Sequence, residues 1–297
     1  MTKKRAKEME QAAAKGSMTQ WQLIWIRFRK NKLAVIGLIG LLIMVAICFT
    51  SPLYISWDRV IHQDLLLETV SPCKEYIFGT DHLGRDLFAR VIRGGIYSLS
   101  SGLIVMVGSL ALGLIFGSIA GYCGGKIDTL IMRLMDIFMS VPSLLMAMTL
   151  IVVFGQSLWS LWLALSLSNF PGMARTVRSS ILTVRSSEYV DAAHIYGAST
   201  FKILAKHILP NCMGPVIVSA TLMLGSTILA IAGMGFLGIG IAPPTPEWGT
   251  ILSEVKDYIR FSPYLGIIPG GAIALSVIFI NFMGDGLRDA LDPRMKK

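Results

Sequence analysis

Residues 94–125 read GGIYSLSSGLIVMVGSLALGLIFGSIAGYCGG, a run of 32 residues that contains no charged side chain. An α-helix rises 1.5 Å per residue, so about 20 residues of this kind cross the hydrocarbon core of a lipid bilayer. Charged side chains are costly at that depth, and this run carries none. The segment therefore predicts a transmembrane helix.

Four further charge-free segments lie in the 297-residue chain, at residues 33–57, 137–174, 207–246 and 261–284. Segment 137–174 is long enough for two spans and is interrupted at Gly155, so we divide it in two. The segments are long and apolar on every side, which excludes a membrane barrel of short alternating strands. We predict an all-α integral membrane protein with six transmembrane helices, at residues 33–54, 97–121, 131–154, 157–174, 213–236 and 264–284.

The composition excludes a soluble globular enzyme. Hydrophobic residues make up 54% of the chain and charged residues 15%, with a mean hydropathy of +0.64. Soluble domains carry about 25% charged residues. The net charge is +9, and nine of the 27 lysines and arginines precede Leu33. A nucleic-acid-binding protein would spread such residues over a folded surface, so this clustering indicates a basic cytoplasmic edge.

The basic residues also predict the orientation. With the N-terminus inside, the cytoplasmic segments hold 20 of the 27 lysines and arginines, in agreement with the positive-inside rule. Both termini are then cytoplasmic. The predicted organisation is a basic cytoplasmic segment (1–32), a first transmembrane helix (33–54), an extracytoplasmic loop (55–96), a core of five transmembrane helices (97–290) with a cytoplasmic loop (175–211), and a cytoplasmic tail (291–297).

Signatures of catalysis and of nucleotide binding are missing from the sequence. No G-x-x-x-x-G-K-[ST], H-E-x-x-H or G-x-S-x-G pattern occurs. Residues 233–238 match G-x-G-x-x-G, but they follow no predicted strand, so the dinucleotide-binding mechanism does not apply. We therefore expect no catalytic, cofactor-binding or metal-binding residue in this chain.

The external loop contains a stretch, residues 80–92, that predicts an interfacial helix leading into the second span. Its apolar side chains share one side, and Thr80 or Asp81 is the expected cap. Asp81, His82 and Asp86 offer an alternative, because carboxylate and imidazole groups are suitable metal ligands. Helix capping and surface ion pairing use the same residue types as a metal site, so these residues fit either use.

The cytoplasmic loop predicts two short helices that meet at Gly197. The first helix stops at this glycine, and the second begins at Ser199 or Thr200 and stops at Pro210. One side of the first helix forms an aromatic-edged face that another protein could approach closely: Tyr189, Ala192, Ala193 and Tyr196. The alternative is an amphipathic helix that lies against the membrane.

Span two carries small residues at four-residue spacing, Gly113, Gly117 and Gly121. Such a stripe lets another helix approach closely, and that helix could belong to this chain or to a partner chain.

Span three contains Arg133 and Asp136, which are three residues apart and are expected to pair. A proton relay through Asp136 is the alternative role for this carboxylate. Pro142 is expected to kink the same helix.

Span five ends in Gly233, Gly235, Gly238 and Gly240, and three prolines follow within six residues. A helix cannot continue through such a sequence. Non-helical backbone near a membrane is tolerated where it is buried in protein or faces water. We predict either an outer gate of a central pathway or a simple helix exit.

The cytoplasmic loop resembles the EAA loop of ABC-importer permeases, which is written E-A-A-x3-G-x9-I-x-L-P. Here DAA at residues 191–193 is followed by Gly197 and by HILP at residues 207–210. The sequence departs from the pattern at Asp191, which keeps the carboxylate, and at His207. The resemblance implies that this loop docks onto an ATPase subunit. Its coupling residues would be Tyr189, Asp191, Ala192, Ala193, Tyr196, Gly197, Leu209 and Pro210.

Further motifs resemble those of one branch of that family, the C-type permeases of dipeptide, oligopeptide and nickel importers. They are FGTDHLGRD (78–86), GYCGGKID (121–128), FLGIG (236–240), PPTPEWG (243–249) and GDGLRDALDPR (284–294). The resemblance extends from about residue 33 to residue 294. It implies a type I ABC-importer permease fold in the bacterial inner membrane.

By the same resemblance the chain forms half of a translocation pathway for nickel, a nickel chelate, dipeptides or oligopeptides. The implied partners are a homologous second permease, two cytoplasmic ATPase subunits that bind ATP and magnesium, and an extracytoplasmic substrate-binding protein. The chain itself would be non-catalytic and would bind no cofactor and no nucleic acid. Two alternatives are a secondary transporter driven by an ion gradient and an intramembrane enzyme that uses Asp136 and Asp285.

Overall fold

The computed structural model describes residues 20–291, and the regular structure in this range is helical, with one isolated bridge between Thr80 and Asp86. Residues 1–19 of the predicted cytoplasmic segment and the predicted tail beyond residue 291 lie outside the described range. The helices are, in chain order, α1 (Gln20–Lys30), α2 (Lys32–Thr50), α3 (Trp57–Ile61), α4 (Leu87–Cys123), α5 (Gly125–Ser140), α6 (Ser143–Phe154), α7 (Leu158–Val184), α8 (Glu188–Ile195), α9 (Thr200–Phe236), α10 (Trp248–Val255) and α11 (Tyr264–Leu291).

Four helices in the described range are long and apolar enough to cross a membrane: α2 with its extension to Leu53, α4, α9 and α11. The pair α5 and α6 makes a fifth candidate if the two count as one broken span. The 27-residue α7 does not pass the same test because its composition is more polar. Each of the six predicted segments nevertheless coincides with a helix or with the α5–α6 pair.

The predicted span at residues 131–154 is broken in the middle. Helix α5 ends at Ser140, α6 begins at Ser143, and their axes differ by 84°. Pro142 explains the break, because proline forces the preceding residue out of the helical region, and Val141 is extended with ψ of 132°. The predicted kink is confirmed, but the segment is not one helix.

Helices α4 and α7 run parallel and in register. A Cβ added at Gly113 would meet Met173 at 2.5 Å, one at Gly117 would meet the carbonyl oxygen of Ala174 at 2.5 Å, and one at Gly121 would meet Ile181 at 3.0 Å. The glycine stripe therefore packs against a helix of the same chain, the first of the two partners that the sequence left open.

The described part of the basic N-terminal segment is a helix that packs on the C-terminal helix. Phe28 of α1 and Ala34 of α2 form a buried cluster with Ala290 of α11. Asn31 caps α2 through the backbone N–H groups of residues 33 and 34, and its amide donates to Asp289 at 3.2 Å. The first span is thereby fixed to the last one.

The predicted interfacial helix is the beginning of α4 itself. Its cap is Asp86, which accepts from the Ala89 N–H at 3.1 Å, and not Thr80 or Asp81. The first apolar residues of α4 are covered by protein, with Leu87 packed against the segment around α10. Protein also covers Arg85 and Arg90, which lie off the apolar side, so hydrophobic periodicity found one covered side and could not distinguish a membrane surface from a protein surface.

Pro210 does not end the second of the two short helices that the sequence predicts in the cytoplasmic loop. A π-helical segment, Leu204–Ile208, precedes it, and the helix continues to Phe236. Proline lacks a backbone N–H and clashes with the carbonyl of the preceding turn of an α-helix. The wider π turn absorbs this defect. The second short helix of the cytoplasmic loop and the fifth predicted span are therefore one continuous helix.

Candidate functional site

The elbow consists of α8, the turn at Gly197 and the first turns of α9. Gly197 has a φ of +74°, which lies in the left-handed region where other residues are strained. The N–H groups of Gly197 and Ala198 donate to the carbonyl oxygens of His194 and Ala193 at 2.9 and 3.1 Å. This pattern closes α8 in the manner of a Schellman motif. The chain reversal thus occurs at the glycine that the sequence predicted.

One side of α8 is buried against its own chain. Val190 and Ala193 belong to a core cluster with residues of α7 and α9, and Leu209 packs against the same cluster. Tyr189 and Tyr196 are exposed. The aromatic-edged face that the sequence predicted is therefore divided, because Ala193 points into the chain and the two tyrosines point away from it.

The outer side of the elbow exposes large apolar side chains. Ile195, Tyr196 and Phe201 are 85%, 88% and 80% exposed, and they lie on both sides of the Gly197 turn. Exposed groups of large apolar side chains mark surfaces that bind another protein. We call these three residues with Tyr189 the apolar patch. Sequence reasoning missed Ile195 and Phe201, although their position next to the turn glycine was a usable signal. Of the other predicted coupling residues, Asp191 and Pro210 are exposed and Ala192 is half-buried.

Two arginines, Arg178 of α7 and Arg185 directly after it, fix the base of the elbow to its neighbours. Arg185 donates from Nη1 to the carbonyl oxygens of Gly121 and Tyr122 at 3.1 and 3.2 Å, at the end of α4. Arg178 holds Asp128 of α5 through two bonds of 2.5 Å. A paired guanidinium and carboxylate in this fork arrangement is directional. The helices that meet at the elbow are therefore connected by charged contacts as well as by packing.

A buried ion cluster lies at the opposite end of α4. Arg85 donates from Nε to Asp81 at 2.7 Å and from Nη2 to Glu254 of α10 at 3.1 Å. Arg90 pairs with Glu254 and lies 3.5 Å from Asp81. Both arginines and Asp81 are buried. The cluster fixes the loop before α4 to the segment before α11.

The side chains of the metal alternative have other partners in this structure. Asp86 caps α4 and accepts from Arg59 Nε at 2.7 Å, and Asp81 is occupied by Arg85. His82 stacks on Tyr258 with ring centroids 5.1 Å apart. Within residues 20–291 no three potential metal-ligating side chains come together. The carboxylates of this loop serve capping and ion pairing, the other use that the sequence allowed.

A buried carboxylate, Glu247, joins the start of α10 to α4. Glu247 accepts from the hydroxyl of Ser98 on α4 at 2.9 Å and from the backbone N–H groups of Gly249 and Thr250 at 3.0 and 2.9 Å. Burial raises the pKa of the Glu247 carboxyl above its ordinary value, and these hydrogen bonds partly oppose the shift.

The four glycines predicted as a gate have different surroundings. A Cβ at Gly235 would stand 2.4 Å from Glu247 Oε2, and one at Gly240 would stand 2.6 Å from the Gly235 Cα. Gly238 has a φ of +78°, and Gly233 faces open space. Two of the four thus permit close packing and one permits a turn. The gate remains a prediction.

Asp136 of α5 pairs with a residue that the sequence did not indicate. Its nearest charged partner is Arg175 of α7, whereas Arg133 is 3.9 Å away. Both members of the Asp136–Arg175 pair are exposed in the chain. Residues 39 positions apart meet here only because α5 folds back beside α7.

Residues 113–297 match the family described as "Binding-protein-dependent transport system inner membrane component". The chain belongs to this family of ABC-importer permeases. Residues 19–68 match a second description, the N-terminal transmembrane domain of oligopeptide transport permease C. This permease is therefore of the C type, and its apolar helices make it a multi-pass membrane protein.

Several curated relatives cover nearly the whole permease. The di/tripeptide transport system permease protein DppC of Pseudomonas aeruginosa is 42% identical over 277 residues, 92% of this chain and 91% of the relative. The dipeptide permease DppC of Alkalihalophilus pseudofirmus is 40% identical over 280 residues, which cover 94% of this chain and 92% of the relative. The oligopeptide permease OppC of Bacillus subtilis is 38% identical over 284 residues, which cover 96% of this chain and 93% of the relative.

Two solved structures share the fold of this permease. The MetNI methionine ABC transporter in an inward-facing conformation matches with a TM-score of 0.58 at 20% identity, over 68% of this chain and 96% of that chain. An amino acid ABC transporter with histidines matches with a TM-score of 0.51 at 15% identity, over 68% and 94%. Both likenesses concern the architecture, which is that of type I ABC permeases.

Proposed function

We propose that this permease forms half of the translocation pathway of an ATP-driven importer for dipeptides or oligopeptides in the bacterial inner membrane. The near full-length similarity to permeases named for dipeptide, di/tripeptide and oligopeptide transport supports peptides. These names favour peptides over nickel, the other substrate class that the resemblance implied. The observation that carries the proposal is the apolar patch on the elbow, exposed where a motor subunit would bind.

We propose that the chain crosses the membrane six times with both termini in the cytoplasm. Helix α7 follows α4 in parallel and in register from the Ser101–Trp162 hydrogen bond to the Gly121–Ile181 contact. A helix parallel to a spanning helix traverses the same depth, which supports α7 as a span despite its polarity. The α5–α6 pair must then return across the membrane between them. The excess of basic residues on one side supports the orientation.

The elbow is suited to transmit a movement because it is continuous with α9. A helix of 37 residues is about 55 Å long, so a displacement of its first turn can be carried to the far end of the span. The far end packs against α10 through Glu247 and the glycines around it. Docking of an ATPase at the apolar patch would therefore act on the opposite side of the membrane.

Partner subunits would supply the other functions of the importer. We propose that two cytoplasmic ATPase subunits bind ATP and magnesium, that a homologous permease completes the pathway, and that an extracytoplasmic binding protein delivers the peptide. The chain itself is then a non-catalytic transport subunit. The family's description as part of a binding-protein-dependent system supports this division of labour.

Uptake in a strain that lacks the permease gene tests the proposal. Radiolabelled dipeptide should accumulate only when the gene is restored, and radiolabelled nickel should not respond. The purified permease should bring down an ATPase subunit. A secondary transporter would instead lose uptake when the ion gradient is collapsed and would purify without an ATPase. Either of those results would contradict the proposal of an ATP-driven importer.

A further inference from the structure

Helix α7 is unusually polar for a helix that follows a membrane span. It is 27 residues long, and among the long helices in the described range it is the one that does not qualify as a span by composition. Its polar residues from the middle to the end are Ser166, Ser168, Asn169, Arg175, Thr176, Arg178, Ser179, Ser180 and Thr183. Lipid would be a poor environment for them, so their surroundings need an explanation.

Part of the side of α7 that the chain leaves open is polar, although Ser166 and Ser180 are buried and Arg178 pairs with Asp128. Gly172, Arg175 and Ser179 are exposed at helical spacing, whereas the side that faces α4 is buried. Asp136 of α5 reaches the open side and pairs with Arg175. We call Asp136, Gly172, Arg175 and Ser179 the polar face. A Cβ added at Gly172 would meet nothing within 4 Å, so the space in front of the polar face is empty of this chain.

The polar face lies at the level of exposed apolar residues. The contacts of Gly113 with Met173 and of Gly117 with Ala174 place Arg175 beside the stretch of α4 that contains Ile115. Ile115 is exposed, and so is Ile119 one turn further along α4. Ile137, next to Asp136, is 66% exposed. The chain thus exposes both apolar side chains, which suit lipid, and an ion pair, which suits water, at the same level along α4 and α7.

We propose that the polar face is a wall of the water-filled path along which the peptide passes, and that Arg133, Asp136 and Arg175 contact the peptide's charged ends. This inference rests on the proposed function. A free peptide carries one carboxylate and one ammonium group. Guanidinium groups bind carboxylates in a fork geometry, and Asp136 can accept the ammonium group. Arg133 and Arg175 flank Asp136 and give the cluster one net positive charge.

Thiol labelling tests whether the polar face meets water. The background is the assembled importer with Cys48 and Cys212 replaced by Ala and Cys73 and Cys123 replaced by Ser. Gly172→Cys and Ser179→Cys should react with a charged, membrane-impermeant methanethiosulfonate in inside-out vesicles at least about tenfold faster than the control Ile137→Cys, because the reactive thiolate forms only in water. Reaction of the polar-face cysteines as slow as that of the control overturns the proposal, because lipid or a partner helix then covers the face.

Peptide discrimination tests the contact with the charged ends. In Arg175→Gln the KM for a dipeptide with a free carboxylate should rise about tenfold relative to its C-terminally amidated analogue, because a charged hydrogen bond to the peptide is lost. Arg175→Lys should recover part of the preference. An equal loss for both peptides would identify Arg175 as structural and would overturn the contact. If the wild type takes up no peptide, the proposed function fails, while the labelling still decides whether the polar face meets water.

Discussion

Gly117 of α4 lies directly against the main chain of Ala174 of α7. A Cβ on Gly117 would stand 2.5 Å from the Ala174 carbonyl oxygen and 2.8 Å from Val177 Cβ. The two helices therefore approach closely along a stripe that also contains Gly113 and Gly121. This contact sets the position of α7, and with it that of the elbow and of the polar face.

Gly117→Ala should destabilise the permease by about 1–3 kcal/mol, because the added methyl group forces α4 and α7 apart. The control is Gly270→Ala in α11, where a Cβ would meet nothing within 4 Å. That change should be neutral or slightly stabilising, since alanine favours a helix by up to about 1 kcal/mol over glycine. Thermal unfolding of the purified protein in detergent measures both. Equal melting temperatures for the two variants would contradict the packing argument.

Gly197→Val should uncouple the elbow. The φ of +74° costs a residue with a Cβ about 1–2 kcal/mol, and a β-branched side chain fits it worst. Gly197→Asn is the matched control, because asparagine tolerates the left-handed conformation. We expect Val to abolish ATP-dependent dipeptide uptake and Asn to retain most of it. Similar uptake by the two variants would mean that the conformation of the turn does not govern coupling.

Tyr196→Asp should weaken binding of the ATPase without unfolding the permease, because the side chain is exposed and makes no buried contact. A central interface residue contributes about 2 kcal/mol or more, so co-purified ATPase should fall at least about tenfold. Leu66→Asp is the control, an equally drastic change at an exposed apolar residue of the other loop. Loss of ATPase from the Leu66 variant as well would point to general damage.

Glu254→Gln should destabilise the outer end of α4 by about 3 kcal/mol, because Arg85 and Arg90 lose the carboxylate that balances them in a buried position. Glu75→Gln removes a carboxylate from an exposed position of the loop before α4 and should have little effect. Thermal unfolding in detergent compares the two. A small effect at Glu254 would show that solvent reaches the cluster.

Glu247 should make stability depend on pH. Its pKa is raised in the folded protein by burial, so the folded state holds the proton more tightly than the unfolded chain does. The stabilisation is fully present below the ordinary pKa of about 4.3 and is lost as the pH rises through the folded pKa. Glu247→Gln removes this titration. The melting temperature of the wild type relative to the variant should therefore fall with rising pH. If the melting temperatures of the two proteins change in parallel with pH, the raised pKa of Glu247 is contradicted.

Several features could be predicted from the sequence because they depend on local chemistry. The helical segments, the break at Pro142 and the turn at Gly197 follow from apolar run length, from the missing N–H of proline and from the freedom of glycine. The end at Pro210 was predicted by the same rule and was wrong, since a π turn before it lets the helix continue. Local rules fail where the neighbouring backbone can absorb the defect.

The sequence by itself determined that this is a helical membrane protein of the ABC permease family, since charge-free runs and motif spacing are properties of the linear chain. Only the tertiary structure decided which groups meet: Arg175 and not Arg133 as the closer partner of Asp136, Asp86 as the cap of α4, and the glycine stripe against α7. Partners distant in sequence are chosen by how the helices pack, and packing depends on the summed contacts of whole helix surfaces, which no local pattern contains.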